Sequence, residues 1–402
     1  MKRFFARFVQ FLMRIVAKLI RIPEPTVYLG HKLFHKVIEI FQYHQVTKVL
    51  IVTDKNIVQL KLLEPLIALL NLHHIAMVVY DDTHVNPTVT NLEEAKTIFL
   101  RQQCQAILGF GGGSPMDCAK GAGALVASKK HVIQLKGLLK VRRKPPLLVM
   151  MPTTAGTGSE ATVAVVVSNP KTKEKYAISD PVLVPSYAIL DSALTMGLPP
   201  HITASTGMDA MTHAIEAFLG FSNTTFSIQA AKKALILIDQ HLIKSFQNPT
   251  LESSRRGMLE ASYHAGLAFT RAYVGYVHGI AHTLGGFYQF PHGLANAIIL
   301  PHVLEAYGRS IHDKLSIMAD WLNLTTIDAP VILKAKAFKE WIHRHLTALE
   351  IKNTIPGILK EEDIQLMIER AEQEIYPLYP VPTYLTSKEL KAIYKTIGGF
   401  SS

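Results

Sequence analysis

Cysteine is almost missing from this chain: Cys104 and Cys118 are the two it has in 402 residues, and no CxxC occurs. That excludes a disulfide framework and a zinc–thiolate site, and it suits a reducing cytoplasm. Charge is thin as well. Charged residues make up 18% of the chain and hydrophobic residues 49%, which excludes disorder and leaves ample material for a core. Acidic residues fall short of basic ones, 31 against 42, for a formal net charge of +11. Beyond the amino-terminal segment the surplus is scattered, so no nucleic-acid partner is expected. No internal repeat or low-complexity tract is present. At 402 residues the chain exceeds one ordinary core and accommodates two domains.

The clustered basic charge lies in residues 1–22, with Arg3, Arg7, Gln10, Arg14, Lys18 and Arg21 recurring at steps of three and four. On a helix they form one narrow polar stripe, with Phe, Leu, Ile, Val and Met around the rest. Charges interrupt every apolar run there, so neither a signal peptide nor a spanning helix is expected. Two readings stay open: a helix lying on an anionic membrane surface, or an extension packed on a neighbouring subunit. Pro23 and Pro25 end the helix in both.

From Thr26 to Leu198, short β-rich runs alternate with helical stretches. The runs are KVLIVT (48–53), IAMVVYD (75–81), AILGFGG (106–112), LLVMMPTT (147–154) and YAILD (187–191). Between them, NLEEAKTIFLRQQ (91–103) and PMDCAKGAGALVA (115–127) read as helices. This alternation predicts an α/β domain with a parallel sheet and crossover helices. Residues 162–179 break the pattern and read as a hairpin around a polar turn at Asn169 to Lys173. After MGLPP (196–200), long helical periodicities take over, in 226–246, 253–269 and 331–349, and predict an all-α carboxy-terminal domain. The expected division is 1–22, 23–199 and 200–402, with the cleft between the two halves as the default site.

Two loops in the first half look able to hold phosphate. GFGGGSPMD (109–117) follows a strand and opens a helix, so its glycines and first-turn amides offer an anion seat, with Pro115 fitting the first turn. A plain glycine-rich turn is the bland alternative. PTTAGTGSEAT (152–162) follows the next strand and crowds hydroxyls among glycines, suited to a pyrophosphate or a carboxamide, or simply to a turn rich in side-chain hydrogen bonds. Successive strand ends bring both loops to one edge of the sheet, where open α/β folds bind ligands. Asp54 ends the earlier KVLIVT strand, in VTDK; it can accept from ribose hydroxyls, or merely cap a turn.

The second half carries a sharper signal. Asp209 and His213 are four residues apart and share a helix face, as do His278 and His282, and His292 follows. A carboxylate with several imidazoles in apolar surroundings suits Fe2+ or Zn2+, and such groups are costly to bury without a partner.

These stretches together resemble the iron-containing, or group III, alcohol dehydrogenases. The resemblance runs from Thr26 onward through VTDK at Asp54, GGGSPMDCAK, MPTTAGTGSEAT, DPVLVPSYAILD, GLPPHITASTGMDAMTHAIEAF and HGIAHTLGGFYQFPHGLANAIILPHV. It implies a dinucleotide-binding α/β domain followed by a helical domain, and hydride transfer between a small or aliphatic alcohol or aldehyde and NAD. By motif it implies Asp209, His213, His278 and His292 as metal ligands, with His282 beside the nicotinamide; placed there, His282 is the candidate proton relay towards solvent. It implies Gly111, Gly112, Gly113 and Ser114 on the pyrophosphate, with Asp117 close by. Thr153, Thr154, Thr157 and Thr162 would line the nicotinamide side, Lys175 would reach the ribose region, and Asp54 would favour NAD over NADP. The family tends to dimers or larger assemblies. Its Asn-Pro-Arg run near the carboxy terminus is replaced here by YPLYPVPTYLT (376–386), and the basic amino-terminal helix lies outside its pattern.

Two rival readings accompany this one. A lyase of the dehydroquinate synthase type would share the cofactor fold and metal but return the hydride. A membrane-associated assembly protein would keep a vestigial site. Phe269, Tyr273, Phe287 and Phe290 are apolar and suggest no more than a small substrate.

Overall fold

In the computed structural model, which describes residues 5–10, 21–170, 172 and 174–400, the apolar runs become strands. β1 (Thr26–Gly30), β2 (Lys48–Val52), β3 (Ala76–Tyr80), β4 (Ala106–Gly111), β6 (Leu147–Pro152) and β9 (Tyr187–Asp191) form one six-stranded sheet in the order β1-β9-β6-β4-β2-β3. Every pairing in it is parallel. β5 (Gly137–Leu138), β7 (Ala164–Asn169) and β8 (Glu174–Ser179) form a second, smaller sheet. β7 and β8 are the expected antiparallel hairpin; part of its turn lies outside the described residues. β1 was not among the expected runs, since it is a five-residue edge strand with one neighbour and little burial.

The central strands are buried on both faces, which is why they read as unbroken apolar runs rather than alternating ones. Leu50, Val52, Ile107, Leu148 and Met150 join a core with the helices Val89–Arg101 and Gly113–Ser128. Their neighbours Val49, Ile51, Ala106, Leu108, Phe110, Val149 and Met151 face the opposite core, with the helices Phe34–Tyr43 and Glu64–Leu72. The helices that follow β2 and β4 therefore cover opposite faces. Strand order also reverses there: the chain runs outward from β2 to β3 and then returns to β4 on the other side of β2. That is a topological switch point, and a doubly wound sheet opens a crevice at the carboxyl ends of the two strands flanking it. Asp54 and the 111–114 glycine loop follow those two strands.

Among the described residues no strand follows Asp191; long helices take over, including Pro200–Leu219, Thr225–Gln247, Tyr276–Tyr288 and His292–Tyr307. The chain divides into two compact units: Ile22–Leu198 with Thr250–Gly266, and Pro199–Pro249 with Leu267–Ser402 and the amino-terminal segment. Thr250–Gly266 groups with the α/β unit because Gly158 and Gly266 leave no room for side chains between them. A Cβ on Gly158 would lie 2.7 Å from the Gly266 Cα, and Gly158 has a φ of +61°. The Gly158 amide donates to Ser262 Oγ at 3.2 Å.

Among the described residues no helix is long and apolar enough to cross a membrane. Residues 5–10 are helical, as expected. They lie against the same chain: Arg7 and Gln10 bond to its 377–384 stretch. Of the remaining positions of the polar stripe, Arg3, Arg14 and Lys18 lie outside the described residues, and Arg21 follows in non-helical chain.

Gly158→Ala should destabilise the fold by about 2–4 kcal/mol, because left-handed strain and a backbone clash add. A urea midpoint indistinguishable from wild type would show that the loop and the 252–272 helix are not in close contact.

Candidate metal and nucleotide sites

Three helices of the second unit bring one carboxylate and three imidazoles together. The 200–219 helix opens at Pro199–Pro200, where a missing N–H costs nothing, and ends on Lys314, whose ammonium donates to the Phe218, Leu219 and Gly220 carbonyls at 2.9, 2.9 and 2.7 Å. It carries Asp209 and His213 inward. The 276–288 helix supplies His278 and His282, and His292 opens the 292–307 helix. Gly293 allows the last to approach: a Cβ there would meet the Ser205 carbonyl oxygen at 2.4 Å.

Asp209 Oδ1 is the common point. It lies 4.0 Å from His213 Nε2, 3.9 Å from His278 Nε2 and 3.7 Å from His292 Nε2. Asp209, His278 and His292 offer ligand atoms all within 4.8 Å of one another, and His213 borders that group through the carboxylate oxygen and by stacking on His278 at 4.6 Å between ring centroids. Asp209 and His278 are almost wholly buried. The 3.9 and 3.7 Å separations of His278 and His292 from Asp209 are under twice a metal–ligand bond of about 2.0–2.2 Å, so one ion can reach those three residues together, with His213 at the border of the group.

The donor set fits a divalent cation for a second reason. The Asn296 amide nitrogen lies 2.6 Å from Asp209 Oδ1, 3.1 Å from His278 Nε2 and 3.2 Å from His292 Nε2, so three acceptors converge on one positively polarised N–H group. Asn296 Oδ1, meanwhile, is buried with no hydrogen-bond partner among the described residues. A cluster of lone pairs that attracts the nearest amide hydrogens at the expense of its carbonyl is one that wants positive charge.

His278 presents a bare nitrogen to this cluster because of Glu216. The Glu216 carboxylate takes His278 Nδ1–H at 2.6 Å, the Gly275 amide at 2.9 Å and the Val277 amide at 2.8 Å. A carboxylate only accepts, so the ring proton is on Nδ1 and the Nε2 lone pair faces Asp209. The same oxygens satisfy orphan amides at the start of the 276–288 helix. Glu216 was not singled out in the sequence, although it is seven residues from Asp209 and on the same helix face. Asn296, four after His292, was likewise not singled out.

His282 is not one of the three residues whose ligand atoms group together. Its Nδ1 is 2.6 Å from Glu374 Oε1, and its ring stacks on His292 at 5.2 Å between centroids. Phe269 stacks on His213 at 4.2 Å, and Phe290 is buried.

In the α/β unit the two loops are adjacent, as expected: the Thr153 amide donates to the Gly111 carbonyl at 2.9 Å across β4 and β6. Gly113 gives Thr157 its place, since a Cβ would come within 2.7 Å of Thr157 Cγ2. Thr154 Oγ1, beside Gly112, is buried with no hydrogen-bond partner among the described residues, a hydroxyl left for something else. Ser114 Oγ accepts from the Asn86 amide at 3.2 Å, and Asn86 Oδ1 accepts from Lys175 at 2.9 Å, which brings Lys175 to the glycine loop through one intermediary.

Other predicted contacts face inward. Asp117 accepts from Ser159 Oγ at 2.5 Å and from the Val166 amide at 2.9 Å, and burial pushes its carboxyl up. Thr162 Oγ1 takes Lys120 Nζ at 2.9 Å, and Lys120 also donates to the Ser159 and Ala164 carbonyls at 2.9 and 2.6 Å. Lys120 is thus a buried brace under the second loop, missed in the sequence because a lysine in an alanine- and glycine-rich helix reads as solvated. Asp54 caps the Lys55–Gln59 helix, accepting from the Asn56 and Ile57 amides at 2.9 and 3.2 Å.

Comparisons with known proteins agree in kind. The family model described as iron-containing alcohol dehydrogenase matches residues 24–192, and that of the Fe-containing alcohol dehydrogenase family, C-terminal, matches residues 203–398. Alcohol dehydrogenase 4 of Saccharomyces cerevisiae is 31% identical over 379 residues, 92% of this chain and 96% of its own. The NAD-dependent methanol dehydrogenase of Bacillus methanolicus is 31% identical over 336 residues, 82% and 86% of the two chains. A crystal structure of 1,3-propanediol oxidoreductase superposes with a TM-score of 0.89 at 32% identity, covering 94% of this chain and 99% of that one.

Glu216→Gln keeps the shape but sets an NH2 against one of three donors. It should weaken iron or zinc binding by about 10–100-fold in equilibrium dialysis, and unchanged affinity would remove Glu216 from any role at the ligands. Lys120 supplies a pH test. Burial lowers its pKa from 10.5 to about 8, so between those values the unfolded chain holds the extra proton and stability rises with pH. Lys120→Met should flatten that rise in urea midpoints compared at about pH 8 and pH 10; an unaltered slope would show that Lys120 is not the group responsible.

Proposed function

The chain belongs to the iron-containing alcohol dehydrogenase family, and from that premise we propose that it transfers a hydride between a small or aliphatic alcohol or aldehyde and NAD(H) at an iron centre held by Asp209, His213, His278 and His292. The convergence of three imidazole Nε2 atoms on Asp209 Oδ1 carries this reading. When bound, Fe2+ supplies a Lewis acid that acidifies an alcohol hydroxyl, and NAD supplies the hydride acceptor.

The chain's own residues do the rest. Asp209 brings one negative charge against a dication, and Glu216 keeps His278 in the ligating tautomer. Phe269, stacked on His213, excludes water from one side of the ligand group. His282 accepts the alcohol proton at Nε2, its Nδ1–H being held by Glu374. In the α/β unit, the first-turn amides from Gly112 to Ser114 seat the pyrophosphate at the switch point, with Gly111 turning the chain beneath them. Thr154 offers its unpartnered hydroxyl to the same ligand, and Thr153 and Thr157 shape the loop around it. Lys175 acts through Asn86, whereas Asp117 and Thr162 support the loop from below. Asp54 Oδ1 is spent on its helix cap, which leaves its other oxygen for the ribose. The α/β unit is accordingly the dinucleotide-binding domain and the helical unit the metal domain.

Relatives bearing alcohol, methanol and propanediol names make a short-chain alcohol the substrate class to test first. We extend the reading to a homodimer or larger assembly and to membrane-surface contact through residues 1–22. Phe5 and Phe8 support the contact, standing about half exposed (54% and 52%) on the helical segment.

Anaerobically purified enzyme should contain iron and produce NADH from primary alcohols, and chelation should abolish the absorbance change until Fe2+ is returned. His278→Ala should lose metal and turnover together. Full turnover without metal would refute the scheme, and an NAD cycle with no net NADH would turn the assignment toward a lyase of the dehydroquinate synthase type.

A further inference from the structure

The two features that set this chain apart from its family pattern, the amino-terminal segment and the 376–386 tail, meet each other. Gln10 is buried, 6% exposed, and its side-chain amide nitrogen lies 3.0 Å from the Pro377 carbonyl oxygen, 2.7 Å from that of Tyr379 and 2.6 Å from Tyr384 Oη. Arg7 donates to the Pro382 carbonyl at 3.1 Å and to Gln10 Oε1 at 3.0 Å. Its guanidinium also lies over the rings of Phe221 and Tyr384, 4.4 and 5.1 Å from their centroids. Carbonyls of a proline-rich stretch have no ladder to join, so these side chains supply the donors that give the tail one conformation.

The tail in turn reaches His282. Tyr379 Oη donates to Glu374 Oε1 at 2.6 Å, and the same oxygen takes His282 Nδ1–H at 2.6 Å. Two donors on one carboxylate oxygen fix where that oxygen lies, and therefore which way the imidazole faces. Burial and the Glu374 charge hold the Tyr379 phenol well above its usual pKa, so it keeps the proton it donates.

We propose that residues 5–10 are a strut for the active site: Gln10 and Arg7 hold the 377–384 tail, the tail presents Tyr379 to Glu374, and Glu374 keeps His282 in one tautomer and orientation. Glu374 and Tyr379 are positioning residues, and Gln10 acts through them. The inference rests on the reading of His282 as the group that accepts the substrate proton.

The test uses the full-length enzyme with its metal. In Gln10→Ala, deuterium uptake across residues 376–386 should quicken and kcat should fall by about tenfold, while metal content and KM for the alcohol stay at wild-type values. Glu374→Gln, an isosteric change that a packing role would tolerate, should lower kcat at least as far. The double variant should be no slower than Glu374→Gln alone, because both act on one element. Unchanged exchange in Gln10→Ala, faster exchange with wild-type kcat, loss of metal, or additive losses in the double variant would each overturn the strut. His282→Ala separates the two claims: wild-type turnover there sinks the relay reading itself, whereas lost turnover there with wild-type kcat in Gln10→Ala sinks only the strut.

Discussion

Burying a carboxylate among imidazoles is costly unless something cationic joins them, and that constraint organises the helical half of this protein. Asp209 is nearly inaccessible, and one of its oxygens faces three ring nitrogens. Each of those nitrogens serves as a ligand only while it carries a lone pair. The requirement therefore spreads outward from the ligands to whatever fixes their tautomers, and from there to the helix starts and close backbone approaches that bring three helices within reach.

The 276–288 helix meets that requirement twice. His278 and His282 are one turn apart, and each has a carboxylate oxygen 2.6 Å from Nδ1. Glu216 performs the service from within the bundle, where its other contacts are backbone amides. Glu374 performs it from the segment that leads into the carboxy-terminal tail, where a tyrosine shares the load. One histidine is thereby tied to the rigid frame of the ligand helices, and the other to a segment braced by the beginning of the chain. The polar stripe at residues 7 and 10 thus has a role inside the protein, while the apolar side chains of Phe5 and Phe8 face outward.

The α/β unit obeys a different logic. Its sheet is buried on both faces, and the reversal of strand order beside β2 creates the crevice without help from any particular side chain. The polar residues near it divide by depth. Lys120, Asp117 and Thr162 are engaged beneath the loops and hold their shape, whereas Thr154 keeps a hydroxyl with no partner among the described residues and the first-turn amides of the glycine loop lie beside it.

Local chemistry explains what could be read from the sequence alone. Apolar runs bounded by glycine and threonine loops specify buried parallel strands, and helical periodicity after residue 200 specifies the bundle. The Asp209–His213 and His278–His282 spacings each fix a shared helix face because the repeat is a property of the backbone. Family motifs supplied the remaining identities. Tertiary structure alone decided the partners separated by long stretches of chain: Glu216 with His278, Asn296 with Asp209, Glu374 with His282, Gln10 with the tail. It also decided that Thr250–Gly266 belongs with the α/β unit, and that Asp117 and Thr162 point inward. Sequence spacing encodes which side chains share an element, but hydrogen bonds between elements depend on packing angles and close approaches that the whole fold sets at once.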